Sequence, residues 1–509
     1  MTIRITGMNS GLDTETIINE LASARSVKVT SLQKAQTKLS WKIDAWKSLN
    51  TKIYGLYTDT LSDMRLTGSY SKKTTKVSNA NAVSVITGAN AINGTQKLNI
   101  TKLAATGYLT GGKITSEDGT EVKSDTTLAQ LGLADGKKAR FTLEINGEQK
   151  ELEFDSSSTI KDVVKALKDE GLNASFDAAT GRIFASAAKS GKASDFSLTA
   201  ADAESELALG MLGLNDSLAT KIDGRDAEIY LNGAKFEFDS NTFEINGLTF
   251  TISQVTDPSG VPSEDNAISV TTETDTSGIY NMIKDFFKKY NELIKEMDTL
   301  YNADSASKYE PLTDEEKDAM SDKEIEEWEK KIKDSLLRRD STLGTVASAM
   351  KEIMLKGFTV TDKDGNSSTK YLSSFGISTL SYFKALDNEK GMYHIDGDED
   401  DADTKNNPDL LKTAIASDPD MVTSFFAQLN TALYEKLGDL MGRTDYSSAY
   451  KVYNDKLLDT ELKDYDSKIS DAQKKMNDYT DKWYKKFSEM EVALSKLNSK
   501  TSAITNMLG

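Results

Sequence analysis

The chain has 509 residues, and its 62 Lys and Arg against 80 Asp and Glu give a formal net charge of −18. A chain this acidic is expected to bind nucleic acids and anionic membranes poorly, because phosphate contacts need a basic face. It has no cysteine, which excludes a disulfide framework and cysteine-ligated metal centres. A chain of this length is expected to form two to four domains.

No apolar run approaches the roughly 18 residues that a membrane-spanning helix needs, so we predict no membrane insertion. Residues 1–10 have no basic stretch followed by an apolar core. We therefore expect no cleaved secretory signal. Such a chain is compatible with the cytosol, with the extracellular space or with export through a dedicated channel.

Both ends of the chain predict long helices. All five prolines lie between Pro258 and Pro419, so neither end contains a residue that breaks a helix interior. Apolar side chains recur there in steps of three and four, the spacing of a coiled coil. The candidate coiled-coil residues are Leu32, Leu39, Trp46, Leu49 and Ile53, and then Leu462, Ile469, Met476, Trp483, Phe487, Leu494, Leu497, Ile504 and Leu508. We expect the C-terminal helix to pack on the N-terminal one, on other copies or on a partner.

The region from 105 to 275 is predicted to be rich in β-strands. Asn146-Gly147 stands between two runs of alternating apolar residues, which predicts a β-hairpin. Thr159–Glu170 predicts a short helix, and a second hairpin is predicted around Thr180-Gly181. The Asn-Gly turn returns at Asn232 and Asn246. These repeats indicate subdomains built from similar hairpins.

The rest of the chain predicts a helical domain. Helical apolar spacing recurs in Ile279–Leu300, in the charged stretch Glu315–Asp334 and in Thr423–Leu440. The predicted fold class is therefore α+β multidomain, with long terminal coiled-coil helices, a middle domain containing a helical bundle and an inserted β-rich head. The expected domains are a leg of 1–45 and 452–509, a helical or mixed domain of 46–104 and 276–451, and a head of 105–275 with subdomains of about 105–220 and 221–275.

The sequence offers little for catalysis. A nucleophile triad needs a base, and the only histidine is His394, in "GMYHIDGDEDD". This context favours a solvated residue in a loop or at a strand end. The chain has neither a phosphate-cradling loop nor a dinucleotide-binding glycine fingerprint. We predict no enzyme and no cofactor.

The acidic run that follows His394 fits a calcium loop poorly. Asp396, Asp398 and Asp400 match the first three ligand positions of the helix–loop–helix calcium site. The position of the required glycine holds Asp401, and that of the closing glutamate holds Asn407. We predict a solvated acidic loop and no metal site.

The opening residues "GMNSGLDTETIINELASA" resemble the signature of the flagellar filament cap family, also called hook-associated protein 2. The residues that match are Gly7, Ser10, Gly11, Leu12, Asp13, Thr14, Ile17, Ile18 and Leu21. "LLRRDSTL" at 336–343, "AIASDPDMVTSFF" at 414–426 and the C-terminal helix are similar to other segments of that family. The stretch 311–339 departs from its shortest members.

This resemblance implies a structural cap at the tip of the bacterial flagellum, outside the cell. Such caps promote the ordered insertion of exported flagellin, prevent its loss and are needed for motility. The implied partners are other copies in a ring, commonly a pentamer, together with flagellin, the hook–filament junction protein and a cytoplasmic export chaperone on the C-terminal helix. The implied route out of the cell is the flagellar type III channel, without a cleaved signal peptide.

Two other functions are compatible with this pattern. Another flagellar axial protein, such as a junction protein, would share the helical ends, although residues 7–24 do not resemble the openings of those proteins. A surface adhesin would use the β-rich head to bind a host glycan or mucus, and adhesion could coexist with capping.

Overall fold

The computed structural model describes residues 10–508, with side chains up to residue 506. The chain forms two compact units, one made of the residues up to 70 and from 276 onwards, and the other of residues 71–275. Gly7 of the predicted signature lies outside the described residues, as does the side chain of Leu508.

The helices, in chain order, are α1 (Thr14–Gly55), α2 (Ser62–Met64), α3 (Ile160–Asp169), α4 (Ala203–Met211), α5 (Thr276–Tyr301), α6 (Asp314–Asp318), α7 (Asp322–Asp334), α8 (Ser341–Met354), α9 (Leu410–Ser417), α10 (Pro419–Leu440) and α11 (Asp455–Leu508). A π-helical turn, Leu56–Leu61, joins α1 to α2. Short 3₁₀ turns lie at Thr67–Tyr70, Lys192–Ser194, Glu264–Asn266 and Leu372–Phe375.

The strands are β1 (Lys73–Val77), β2 (Val83–Thr87), β3 (Gly94–Lys102), β4 (Thr106–Thr110), β5 (Lys138–Ile145), β6 (Glu148–Asp155), β7 (Asn173–Asp177), β8 (Arg182–Ser190), β9 (Phe196–Ala200), β10 (Thr220–Ile222), β11 (Ala227–Leu231), β12 (Ala234–Phe238), β13 (Thr242–Ile245), β14 (Leu248–Ile252), β15 (Ile268–Thr274), β16 (Phe358–Thr361), β17 (Ser367–Lys370), β18 (Ile377–Thr379) and β19 (Tyr393–Ile395). All pairings are antiparallel. The predicted α+β multidomain class is confirmed.

The helical unit has a core built by α1, α5, α8, α9 and α10. The apolar stripe predicted from Ile279 onwards is the buried face of α5, where Phe286 and Tyr290 lie in that core. On α10, Phe425 and Phe426 pack against Phe375 at ring-centroid distances of 4.8 and 5.8 Å. These aromatic contacts join α10 to the 3₁₀ turn Leu372–Phe375, which lies well before it in the chain.

The charged stretch predicted as one helix over Glu315–Asp334 forms two helices. Thr313 caps α6 and Ser321 caps α7, each in a capping box with the carboxylate three residues later. Two adjacent caps start two helices, because each satisfies the free backbone N–H groups of a new first turn. The two short hairpins of this unit are β16–β17 and β18–β19.

The β unit contains strands from well before the predicted head. A five-stranded sheet has the order β1-β15-β3-β11-β12, and a three-stranded sheet has the order β13-β14-β2. Together they enclose a core that includes Val83, Leu98, Ile229 and Phe250. Assigning 71–104 to the helical domain was therefore wrong, because β1, β2 and β3 pair with strands that lie more than 120 residues later. The boundary falls at 70/71 instead of 104/105.

The second part of the β unit has its own core between residues 109 and 214. Two sheets surround it, in the orders β10-β4-β8-β7 and β6-β5-β9. The predicted hairpins appear as β5–β6 and β7–β8, and the predicted helix as α3, which Thr159 caps. Asn146 has a φ of 54° and Gly147 one of 78°, the left-handed pair that a tight hairpin turn needs.

Candidate assembly site

The terminal helices α1 and α11 form an antiparallel pair. The Trp46 ring stacks on Tyr453 at a centroid distance of 5.3 Å and an interplanar angle of 9°. Further along, the Arg25 guanidinium lies 4.4 Å from the centre of the Tyr479 ring. Residue numbers rise along one helix as they fall along the other, so the described start of α1 lies beside the middle of α11.

The signature residues form the start of α1. The Asp13 carboxylate accepts a hydrogen bond of 3.0 Å from the Thr16 N–H and one of 2.7 Å from the Thr16 hydroxyl. These hydrogen bonds hold the pKa of Asp13 below its usual value. Gly11 adopts a φ of +69°, which a residue with a side chain rarely takes. The signature thus supplies a turn followed by a charged N-terminal cap.

The helical residues of the signature face the partner helix. Thr14 and Ile18 are buried, and Ile17 and Leu21 are half-buried, whereas Leu12 is 49% exposed. The Ser10 hydroxyl donates a hydrogen bond to the carboxylate of Glu491 on α11. The register therefore sets the first turns of α1 against residues 479–491 of α11.

An aromatic ladder occupies this part of α11. Tyr479, Trp483 and Phe487 stand four residues apart, with ring centroids 6.2 and 5.9 Å from one another. This spacing places the three rings on one helix face. All three are half-buried, and the Lys486 ammonium lies 4.8 Å from the centre of the Trp483 ring. The aromatic ladder thus lies on the part of α11 that faces the first turns of α1.

The predicted coiled-coil residues divide into three groups. Trp46, Leu49 and Ile53 belong to the core of the helical unit, next to α5 and α10. Half-buried residues of the helix pair itself are Leu32, Leu39, Leu462, Met476, Trp483, Phe487 and Leu494, and Ile469 is buried there. Leu497 and Ile504 are 59% and 57% exposed. The sequence reasoning missed Val29 and Ile43, which are also buried on α1, because it followed a single three-and-four spacing.

Packing of Leu497 and Ile504 in the predicted stripe is not seen within the described residues. The register explains why: Ser10 already lies beside Glu491, and α11 continues to Leu508. The last turns of α11 therefore extend past the described start of α1, and their apolar side chains face solvent. Helical spacing could predict the stripe but not the length over which α1 covers it.

The acidic loop behind His394 is held by a lysine. The Lys284 ammonium contacts Asp398 and lies 2.6 Å from the Asp400 carboxylate. That hydrogen bond lowers the pKa of Asp400. Asp396 instead accepts a hydrogen bond of 2.6 Å from the Asn407 amide. Over residues 10–508 no three His, Asp or Glu side chains are grouped so that they could hold a metal ion.

His394 lies in β19 and is largely buried, so the expectation of a solvated residue was wrong. Its Nδ1 lies 2.6 Å from the Asp401 carboxylate. Burial by itself raises the pKa of Asp401. The hydrogen bonds from His394 and from the Asp403 backbone N–H lower it by more, so the pKa of Asp401 lies below its usual value. The Nε2 atom is buried without a hydrogen-bond partner in the described part of the chain.

Two family profiles match the chain. The one described as "Flagellar hook-associated protein 2 C-terminus" covers residues 224–499, more than half of the chain, and the one described as "Flagellar hook-associated protein 2 N-terminus" covers residues 10–106. The chain belongs to the flagellar hook-associated protein 2 family. The resemblance carried by the signature is thereby confirmed.

Members of the flagellar hook-associated protein 2 family match over nearly the whole length. The protein of that name from Halalkalibacterium halodurans is 22% identical, with 99% of each chain covered. Its namesake from Escherichia coli K12 is 24% identical, with 98% of this chain and 96% of the relative covered. The crystal structure of the flagellar cap protein FliD D1-D2-D3 domains from Escherichia coli covers 77% of this chain and 95% of its own, with 19% identity and a TM-score of 0.50. That structure supports the multidomain α+β fold.

Within the described residues, no helix is both long and apolar enough to cross a membrane.

Proposed function

We propose that the chain caps the tip of the bacterial flagellar filament, where it guides the insertion of exported flagellin and prevents flagellin loss. The observation that carries this function is membership of the hook-associated protein 2 family over both ends of the chain. The named relatives and the solved cap protein favour a cap over a surface adhesin or another axial protein. The role is structural and supports motility.

The leg of the cap consists of the paired helices α1 and α11. Their stripe is mostly half-buried, and it ends in the exposed side chains Leu497 and Ile504. The stabilising free energy of an apolar contact is proportional to the apolar area that it removes from water, at about 25 cal/mol per Å². A stripe that is only partly covered therefore gains only part of that free energy. Contacts of this kind can break and re-form as successive flagellins enter, which a fully buried bundle could not do without unfolding.

The partners are those that membership of the family implies. Copies assemble into a ring, commonly of five, and their legs meet flagellin and, at the start of filament growth, the hook–filament junction protein. Before export, a cytoplasmic chaperone covers the exposed end of α11, since apolar side chains at 59% and 57% exposure favour association. The chain leaves through the flagellar type III channel without a cleaved signal peptide and acts outside the cell.

The test is a charge placed on the exposed stripe. Leu497→Asp in the full chain should shorten filaments and abolish swimming, because a carboxylate buried in an apolar contact costs several kcal/mol. Asn498→Asp introduces the same carboxylate at the next exposed position, off the stripe, and should swim like the unchanged protein. Circular dichroism should be the same for both variants, because neither side chain lies in a core.

Filament length by electron microscopy and swimming on soft agar are the readouts. Normal filaments in Leu497→Asp would contradict the leg assignment. Lost motility in both variants would show that added charge anywhere on this helix is harmful, and the stripe would then have no special role.

A further inference from the structure

The β unit contains four Asn-Gly pairs that stand in nearly the same sequence context. The asparagines are Asn93, Asn146, Asn232 and Asn246, and each follows an isoleucine or a leucine. An asparagine before a glycine is chemically labile, because the backbone nitrogen of the glycine can attack the side-chain amide and no Cβ hinders its approach. How often the two groups meet depends on the fold. Differences in reactivity among the four pairs therefore reflect differences in local structure.

Hydrogen bonds hold the side chains of two of these asparagines. The Asn93 side-chain oxygen accepts one of 2.8 Å from the Lys73 ammonium, and its amide nitrogen donates one of 3.2 Å to the Thr274 hydroxyl. The Asn232 side-chain oxygen accepts one of 2.9 Å from the Lys97 backbone N–H. Each side chain must give up these bonds before its carbonyl carbon can reach the nitrogen of the glycine that follows. We therefore expect both pairs to react slowly.

Packing restrains the turn at Asn246. The Gly247 carbonyl accepts a hydrogen bond of 2.8 Å from the Gly88 N–H. A Cβ placed on Gly247 would lie only 2.9 Å from the backbone nitrogen of Ala91, so the segment 88–91 fills the space beside the turn. This contact limits the backbone movement that would bring the Asn246 amide onto the Gly247 nitrogen.

The turn at Asn146 has none of these restraints within the described residues. Asn146 and Gly147 are both exposed, and the Asn146 side chain makes no hydrogen bond to any residue from 10 to 508. Apart from the neighbours of Gly147 in the chain, no described heavy atom lies within 4 Å of the place where its Cβ would stand. The strand ladder ends at the pair of Ile145 and Glu148, so both turn residues lie beyond it.

We propose that Asn146 is a site of spontaneous deamidation in the folded protein, and that the fold protects the other three Asn-Gly pairs. The Gly147 backbone nitrogen loses its proton to water or hydroxide and bonds to the side-chain carbonyl carbon of Asn146, and the side-chain amide leaves as ammonia. A water molecule then opens the five-membered succinimide. Breaking the new bond to the side-chain carbon leaves aspartate, and breaking the old bond to the backbone carbonyl carbon leaves isoaspartate.

The two products differ in their effect on the β5–β6 hairpin. Asp-Gly suits the same tight turn as Asn-Gly, so the aspartate product adds a negative charge and keeps the turn. Isoaspartate adds a methylene to the backbone of a two-residue turn, which disturbs the register of Ile145 with Glu148. Asn146→Asp reproduces the first product and should leave the melting temperature of the chain unchanged.

Peptide mass spectrometry of the purified full chain, incubated at mildly alkaline pH, measures the conversion at each of the four asparagines. Asn146 should convert fastest, and its peptide should yield two products of equal mass that chromatography separates, aspartate and isoaspartate. Release of one hydrogen bond corresponds to a rate ratio of about two- to tenfold, so Asn93 and Asn232 should convert at least about twofold more slowly. Equal rates in the folded chain, or an Asn146 that stays intact while another pair reacts, would overturn the proposal.

Concentrated urea provides the control, because the four sequence contexts are alike and an unfolded chain keeps none of the contacts described above. All four asparagines should then convert at similar rates. If Asn146 were ahead in urea by the same factor as in the folded chain, its reactivity would come from the local sequence, and the protective role of the fold would be refuted.

The hydrogen bonds of Asn93 allow a second test. Lys73→Met removes the ammonium that holds the Asn93 side-chain oxygen, and conversion of Asn93 should accelerate about two- to tenfold. Lys76→Met is the matched control, because Lys76 lies on the same strand β1 but pairs with Glu273, and it should leave the Asn93 rate unchanged. The rate at Asn146, which lies beside a different sheet, should be the same in all three proteins. An Asn93 that reacts no faster in Lys73→Met than in Lys76→Met would overturn the protection by hydrogen bonds on which the proposal depends.

Discussion

At the scale of single residues, Glu228 shows how a carboxylate is kept ionised in a β-sheet. Its side chain is 9% exposed and accepts hydrogen bonds from the Thr101 hydroxyl at 2.8 Å and from the ammonium groups of Lys235 and Lys102. The bond from Lys235, followed by those from Thr101 and Lys102, lowers the pKa of Glu228 to about 2. The carboxylate holds strands β3, β11 and β12 together at one point.

This depressed pKa predicts a dependence of stability on pH. A carboxyl group that ionises more easily in the folded state stabilises the protein above its unfolded pKa, and that contribution is lost as the pH falls towards the folded value. We expect Glu228→Gln to lower the free energy of unfolding of the β unit by about 1–3 kcal/mol at neutral pH. This gap in the free energy of unfolding between the variant and the unchanged chain should close as the pH falls from about 5 towards 2.

Urea unfolding followed by circular dichroism at several pH values measures this gap. Glu273→Gln is the control, because Glu273 pairs with Lys76 at the open surface and exposed pairs contribute little. A gap that stays constant with pH would mean that Glu228 acts by packing alone.

In the acidic loop, the Lys284 ammonium supplies the positive charge that a metal ion would supply in a calcium site. Its ammonium contacts the mostly buried Asp398 as well as Asp400, so the carboxylates there have a positive partner without a metal. We therefore expect neither calcium nor a chelator to change the melting temperature of the chain. Lys284→Met should lower the melting temperature, because the substitution leaves Asp398 without its ammonium partner at a cost of about 1–3 kcal/mol.

Lys330→Met removes a lysine of similar reach from an exposed pair with Asp334 on α7, and it should change the melting temperature little. If a chelator lowered the melting temperature of the unchanged chain, a metal ion would bind the loop and Lys284 would not be its cation.

At the scale of elements, the segment containing α6 and α7 contacts α1. Glu316 on α6 accepts a hydrogen bond of 2.7 Å from Lys34, and the Lys333 ammonium on α7 lies 4.6 Å from the centre of the Trp41 ring. Just after α7, Asp340 pairs with Lys42 at 2.9 Å. Three contacts along about two turns of α1 connect this stretch to the base of the leg.

These contacts predict that α6 and α7 steady the base of the leg. Replacing Lys34 and Lys42 together by methionine should speed amide hydrogen exchange in residues 30–45, because the helix then loses its polar contacts to the neighbouring segment. Lys47→Met, which removes an exposed lysine 3.9 Å from Asp44 on the same helix, should leave exchange unchanged. Equal exchange in all three proteins would show that α1 needs no such support.

At the scale of the whole molecule, the β unit begins and ends on neighbouring strands. Lys73 of β1 stands opposite Thr274 of β15, so the chain enters and leaves this unit at one place. Its cores involve residues of 71–275 alone. A unit closed in this way has the anatomy of an independently folding domain.

We expect the fragment 71–275 to fold by itself and to unfold cooperatively on heating. The fragment 105–275, which follows the boundary predicted from composition, lacks β1, β2 and β3. It should keep the core between residues 109 and 214 but lose the five-stranded sheet, which has β3 at its centre, so the unfolding transition of that sheet should be missing. Circular dichroism with thermal melting distinguishes the two fragments, and an equally large transition for the shorter one would contradict the corrected boundary.

Features that depend on neighbours along the chain could be predicted from the sequence. Helical spacing predicted α5 and the terminal helices, Asn-Gly pairs predicted the hairpin turns, and a short helix was predicted at Thr159–Glu170, where α3 lies. The signature around Gly11 was enough to indicate the family. Each of these features is decided within a few residues, by backbone geometry and by the hydrogen bonds of helix ends and turns.

Which distant segments meet is set by the folded structure. It paired β3 with β11, brought Lys284 to Asp398 and left Leu497 exposed at the end of α11. It also aligned β10, β4, β8 and β7 into one sheet. Such contacts join residues scores to hundreds of positions apart, and they depend on burial and register, which local spacing along a single chain does not encode.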